Sequence, residues 1–265
     1  MNIGLITCDY FMRIYGYKTP ENFNWGSMVD KYRKEFDREE FIKLAKEIRA
    51  MEYDNLEIWE PNFSYVVYNE DEAKDMAAEL KEMGFKSLVY CIGGWQPKDV
   101  ENIDKSYRFA KALGAKVLTG CMPLDGAEKI LPELERCGKL YSMYFAIENH
   151  PAPNIESPAD VKRLTEGYTT IGANLDTGIY NMLGYDVLAA AHLLRDRMYH
   201  VHFKDTFKGG HDCLPIGDGD APLAELLKLL EQWGYEHMVS VEFEYENDPE
   251  QGLLKSMAYI RKYST

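Results

Sequence analysis

Eight short apolar runs follow one another along the chain, each trailed by a stretch of helical periodicity, with no break in composition between them. The runs are NIGLITC (2–8), NLEIWE (55–60), KSLVYCIGG (86–94), AKVLTGC (115–121), YFAIEN (144–149), TIGANLD (170–176), YHVHFKD (199–205) and MVSVEFE (238–244). The first clear helix is expected from Asp37, an N-cap with Glu40 three residues on and Phe41, Leu44, Ala45 and Ile48 at helical spacing. Further helices are expected up to Gly84, over 97–113 with Gly114 as its stop, over 126–138 despite Pro132, and behind Ser157-Pro158. Others are expected over 183–196, on the Leu223, Leu226, Leu227, Leu230 face closed by Gly234, and at the C-terminus. Strands that alternate with helices pair in parallel, because each crossover returns the chain to the same end of the sheet. Eight such units in 265 residues predict an α/β fold, a single (β/α)8 TIM-barrel domain spanning 1–265. The rival, an open doubly wound sheet, loses support because no Gly-x-Gly-x-x-Gly follows the first strand and no phosphate-loop lysine motif occurs.

One connection is long. Residues 9–36, DYFMRIYGYKTPENFNWGSMVDKYRKEF, are rich in aromatics and are expected to lie over the barrel mouth as a lid or pocket wall, or else as packed surface. The net charge of −14 argues against nucleic acid and anionic membrane, both of which call for Lys and Arg. No run approaches the length of a membrane helix, and the N-terminus lacks a basic region followed by a long apolar one, so a cytoplasmic location is expected. Five scattered cysteines without a Cys-x-x-Cys predict free thiols rather than disulfides or a thiolate zinc site.

The strand ends share a phase. In runs five to eight a large aliphatic residue (Ile147, Leu175, Val201, Val241) directly precedes a polar one: Glu148, Asp176, His202 and Glu242. If the aliphatics face the helices, the four polar side chains face the barrel axis near the C-terminal ends of consecutive strands. Three carboxylates buried together would repel one another or take up protons. A divalent cation removes the conflict, and three oxygen donors with one imidazole suit a fairly hard ion: Mn²⁺ is expected, with Mg²⁺ or Co²⁺ as alternatives. His200 lies in the same phase but deeper, where a core histidine donating to a carbonyl is expected.

The pieces AIENH (146–150), NLDTG (174–178), HVHFKD (200–205), LPIGDGDAP (214–222) and YEHMVSVEFE (235–244) resemble the sugar phosphate isomerase/epimerase group of xylose isomerase-like TIM barrels. The resemblance implies one divalent metal held by Glu148, Asp176, His202 and Glu242, with Glu148 and Glu242 as the acid/base pair on opposite faces of a sugar. It implies a sugar or sugar phosphate isomerase or epimerase that removes a proton next to a carbonyl, giving an enediolate whose charge the metal holds. Two departures separate the chain from the group's ketose 3-epimerases: Ile179 stands where they carry a substrate-holding histidine, and Lys208 where they carry an arginine. An inosose-dehydratase-like lyase is therefore a second reading, and a metal-binding barrel subunit that needs a partner chain a third. The DNA-repair branch of the group needs three metals and more histidines than the six present here.

Expected substrate contacts are His150, Lys204, Trp95, Glu57 and Lys208, with Glu60 beside Glu57 and Glu244 further out than Glu242. For Lys204 the plainer expectation is an ion pair with Asp205. The partner is a small carbohydrate, and a homo-oligomer is left open.

Overall fold

All eight runs form strands: β1 (Asn2–Ile6), β2 (Asn55–Trp59), β3 (Ser87–Gly94), β4 (Val117–Cys121), β5 (Tyr144–Glu148), β6 (Ile171–Asp176), β7 (Met198–Phe203) and β8 (Met238–Val241). Each pairs in parallel with the next, and β8 closes on β1 to complete a barrel in sequence order. This computed structural model describes residues 1–264. The helices are α1 (Trp25–Glu35), α2 (Arg38–Ala50), α3 (Glu70–Glu82), α4 (Ile103–Ala112), α5 (Ala127–Tyr141), α6 (Pro158–Thr165), α7 (Thr177–Met182), α8 (Val187–Leu194), α9 (Leu223–Gln232) and α10 (Glu250–Tyr263). None of the described helices is long and apolar enough to cross a membrane.

Local chemistry sets the helix starts. Asp37 accepts the backbone N–H groups of Glu39 and Glu40, satisfying two donors that the first turn of α2 leaves free. Such a cap contributes about 1 kcal/mol. Asn69 and Glu72 form a reciprocal capping box on α3, and Ser157 caps α6 ahead of Pro158.

Four expectations are corrected. The helix expected over 183–196 is the shorter α8, which starts behind Asp186, and a helix that was not expected precedes it: α7 starts at Thr177, directly after β6. Asp176 ends β6 and also caps α7, so strand passes into helix with no loop between them. The helix expected over 97–113 opens with 3-10 turns over Pro97–Asn102 before α4. The eighth strand stops at Val241, leaving Glu242 just beyond it, and the 9–36 segment is no plain loop, since it contains α1. Arg33 of α1 bonds Glu60 after β2, with Nη2 2.6 Å and Nε 3.1 Å from Oε2, which ties this segment to the barrel wall.

Ile147, Leu175, Val201 and Val241 are fully buried in the large apolar core that also takes in residues of the surrounding helices, such as Leu44, Leu134 and Leu226. Burying each such side chain stabilises the fold by about 1.5–3 kcal/mol. A second, small cluster of Val89, Val117, Ala146 and Met238 comes from four strands. Met238 packs over Gly4, where a Cβ would lie 2.7 Å from its sulfur. The register pairs Glu148 with Asn174, Asn174 with His200, Asp176 with His202, and His202 with Ser240. Partners in a parallel ladder point the same way, so this set shares the barrel interior, and a one-residue slip would turn a strand's polar groups into the apolar core. The five cysteines are unpaired.

Candidate metal and catalytic site

Glu148, Asp176, His202 and Glu242 are buried, and each offers one ligand atom such that all four atoms lie within 4.8 Å of one another. His202 Nδ1 stands 3.1 Å from Glu148 Oε1 and 2.8 Å from Glu242 Oε2. Glu242 Oε2 nonetheless has no hydrogen-bond partner, because the alignment is wrong for one. Asp176 directs Oδ1 to the Ile179 N–H at 2.8 Å, while its fully buried Oδ2 has no hydrogen-bond partner either.

Two side chains that the sequence reading missed stitch these strand ends together. Asn149 accepts the Asp176 N–H at 2.9 Å and donates to the Asp176 carbonyl at 3.1 Å, binding the end of β5 to the end of β6. The Thr177 hydroxyl accepts the Lys204 N–H at 2.9 Å and lies 2.7 Å from the Lys204 carbonyl, binding α7 to the end of β7. The available signal was position: each is a polar residue directly following a strand-end carboxylate.

Lys204 turns into the acid cluster rather than toward Asp205. Its Nζ is 3.0 Å from Glu242 Oε1, 2.8 Å from Glu244 Oε2 and 3.6 Å from Asp176 Oδ2. Burial alone would raise the Glu242 carboxyl, but the Lys204 ammonium and His202 outweigh it and hold that carboxyl below the usual carboxylate range. Asp176 is pushed the other way: burial, opposed by Lys204 and reinforced by the charges of Glu242 and Glu148, raises it to about 7. Asp205 faces away and gathers the backbone N–H groups of Thr206, Gly217, Gly219 and Ala221 at 2.7–3.4 Å. Gly219 passes so close that a Cβ there would collide with the Asp205 carboxylate.

These features fit a divalent cation. Two buried carboxylate oxygens lack hydrogen bonds, an imidazole nitrogen approaches one of them without bonding it, and one acid is driven toward protonation by burial first and by its acidic neighbours second. A cation among them satisfies all three conditions.

A cavity of about 450 Å³ opens onto the cluster; Glu148, His202, Lys204, Glu242, His150, Trp25 and Trp59 are among its walls. His150 and Lys204 thus stand where substrate contacts were expected, and Glu244 is half-buried at the same wall. Three other expected contacts do not reach the cavity. Trp95 is buried away from the lining, where Trp59 and Trp25 stand instead; Lys208 is exposed on the surface, with its backbone N–H donated to Asp220. Glu57 is buried under the cluster, bonding His200 Nε2 at 2.7 Å, His202 Nε2 at 3.2 Å and the Thr119 hydroxyl at 2.6 Å. His200 is a buried core histidine as expected, but its partner is this carboxylate and not a carbonyl. Glu60 is also buried, holding Arg33 and Ser64. Ile179 lines the cavity.

The model of the family described as Xylose isomerase-like TIM barrel matches residues 42–263. The chain belongs to that family. Solved xylose isomerase-like barrels superpose along nearly its whole length. D-allulose 3-epimerase from Methylomonas sp. has a TM-score of 0.73 at 14% identity, over 99% of this chain and 98% of that one. 3-Keto-D-glucoside 4-epimerase from E. coli has a TM-score of 0.68 at 19% identity, over 99% of both chains. A protein described as the probable 3-DHS dehydratase of petrobactin synthesis from Bacillus anthracis has a TM-score of 0.70 at 13% identity, over 98% and 99%. At these identities the likeness speaks for the fold alone. No curated protein matches the sequence.

Proposed function

We propose that this barrel is a carbohydrate isomerase or epimerase that works with one divalent cation, Mn²⁺ by expectation, held by Glu148, Asp176, His202 and Glu242. The observation that carries this reading is the convergence of those four buried groups from four consecutive strand ends, three of which, Glu148, His202 and Glu242, line a cavity large enough for a sugar. Two of the structurally similar proteins are sugar epimerases, which supports the same class. The cation would supply Lewis acidity, polarising a substrate carbonyl so that the neighbouring C–H becomes acidic.

The protein's own groups do the rest. Glu242, held anionic by Lys204, is suited to remove the proton next to the carbonyl. Glu148, from the strand end three places away, is suited to return a proton on the other face or at the adjacent carbon. The first outcome inverts a centre; the second moves the carbonyl. Lys204 lies where an ammonium steadies negative charge as it develops on a substrate oxygen. His150, Trp25 and Trp59 line the space for the remainder of the sugar, and the tryptophan faces exclude water.

A dehydratase is the second reading, favoured by one observation: where a ketose 3-epimerase would hold its sugar through a histidine and an arginine, this chain has apolar Ile179 and an outward Lys208. In that case the same proton is lost, and Lys204 is placed to protonate the departing hydroxyl as water.

Proton NMR in D₂O against a panel of ketoses and keto-cyclitols, with metal content measured on the isolated chain, tests both. Deuterium incorporation next to the carbonyl without loss of water supports the isomerase or epimerase. A new absorbing enone supports the lyase. A chain that binds no divalent metal and exchanges no proton overturns the whole reading.

A further inference from the structure

The one imidazole of the acid cluster has two nitrogens in unlike surroundings. His202 Nδ1 faces Glu148 and Glu242. His202 Nε2 faces Glu57 Oε1 at 3.2 Å, on the side away from those acids. A neutral imidazole carries a proton on one nitrogen and a lone pair on the other, and only the lone pair can bind a cation. Which nitrogen is the ligand is therefore decided by what the other one touches.

Glu57 is built to decide it. A carboxylate only accepts, so a nitrogen bonded to it carries the proton; Nδ1 also meets carboxylates, but Glu148 and Glu242 belong to the cation's own ligand set and would turn to the ion, whereas Glu57 lies outside that set and keeps the proton on Nε2. The carboxylate is itself fixed from two further sides, by the Thr119 hydroxyl on Oε1 at 2.6 Å and by His200 Nε2 on Oε2 at 2.7 Å. Glu57 reaches across the barrel from β2 to β7 and is wholly buried. His200 stands edge-on to His202, with ring centroids 5.3 Å apart, so its bond to Glu57 also limits how the His202 ring can turn.

We propose that Glu57 is a positioning residue, which with His200 and Thr119 holds the Nε2–H tautomer of His202 and so presents Nδ1 as the ligand atom for the divalent cation. This rests on the metal-site reading above. It assigns Glu57 a task unlike the substrate contact expected of it from sequence. Glu57, His200 and His202 also lie close enough to be ligands of a second ion.

The test is made on ¹⁵N-labelled protein loaded with Cd²⁺ as a diamagnetic probe, by long-range ¹H–¹⁵N spectra of the imidazoles and by cation titration. The expected result is one Cd²⁺ per chain, a metal-shifted His202 Nδ1 and a protonated Nε2. Glu57→Gln, isosteric and able to donate to Nε2, is expected to weaken Cd²⁺ and Mn²⁺ binding by about 10- to 100-fold. A metal-shifted Nε2 in the wild type overturns the proposal and leaves the metal site standing; so does a Glu57→Gln variant that binds within twofold of wild type. Two ions per chain, the second lost with Glu57, overturn it in favour of a second site. No bound ion at all sinks the metal-site reading itself, and this inference with it. The wild-type spectrum decides the matter even if the variant does not fold.

Discussion

At the scale of single residues, Glu148 and Glu242 carry the heaviest expectation. Glu148→Gln and Glu242→Gln change charge and almost no volume, so each variant should fold and bind cation more weakly. Each should lose at least about 100-fold in turnover, the range for removing a positioned acid or base. Circular dichroism and a rate assay on the substrate found in D₂O check this together; near-wild-type rates in both variants would refute the acid/base assignment. These two residues were legible in the sequence because aliphatic-then-polar pairs kept one phase on four consecutive strands. The contacts of Glu57 and Lys204 were not legible. Glu57 meets a histidine 143 residues away, and Lys204 meets Glu242 rather than its neighbour Asp205. Such pairings depend on barrel closure, which no local spacing records. The Trp95 and Lys208 expectations failed for a related reason: after a strand ends, period-two alternation no longer says where a side chain points.

At the scale of elements, the strands were readable, and so were most helices, because apolar runs and caps such as Asp37 are local signals. Helix α7, directly after β6, went unread because Asp176 serves as strand end, cap and cluster member at once, leaving no loop to mark the boundary. Helix α1 brings an aromatic residue to the barrel mouth. Its first residue, Trp25, is 45% exposed, stacks on Phe11 with centroids 4.8 Å apart, and forms part of the cavity wall. A half-exposed indole there contributes little to folding and would offer an apolar face to the C–H side of the proposed sugar substrate. Trp25→Ala should raise KM by about 3- to 10-fold while kcat stays within about twofold, the pattern of an interaction shared by ground state and transition state. Steady-state kinetics on the identified substrate read this out; a large fall in kcat with KM unchanged would instead place Trp25 in the chemistry.

At the scale of the whole molecule, the cluster joins the ends of β5, β6, β7 and β8, so a cation that binds there binds only the closed barrel. Saturating Mn²⁺ at about 100 times its dissociation constant adds about 2.7 kcal/mol to stability. For a chain of this size that raises Tm by about 5–10 °C, reversed by a chelator, and differential scanning calorimetry measures it. A Tm indifferent to Mn²⁺ and chelator would contradict a site shared by four strands. The Asp205 carboxylate has a consequence of its own. By collecting four amides of the segment that follows β7, against a glycine with no space for a side chain, it turns that rim of the barrel into fixed masonry. Traffic through the opening is then left to the neighbouring aromatic flank, where Phe11, Phe23 and Trp25 border the same rim, and a new substrate preference would be acquired there without disturbing the proposed metal cluster.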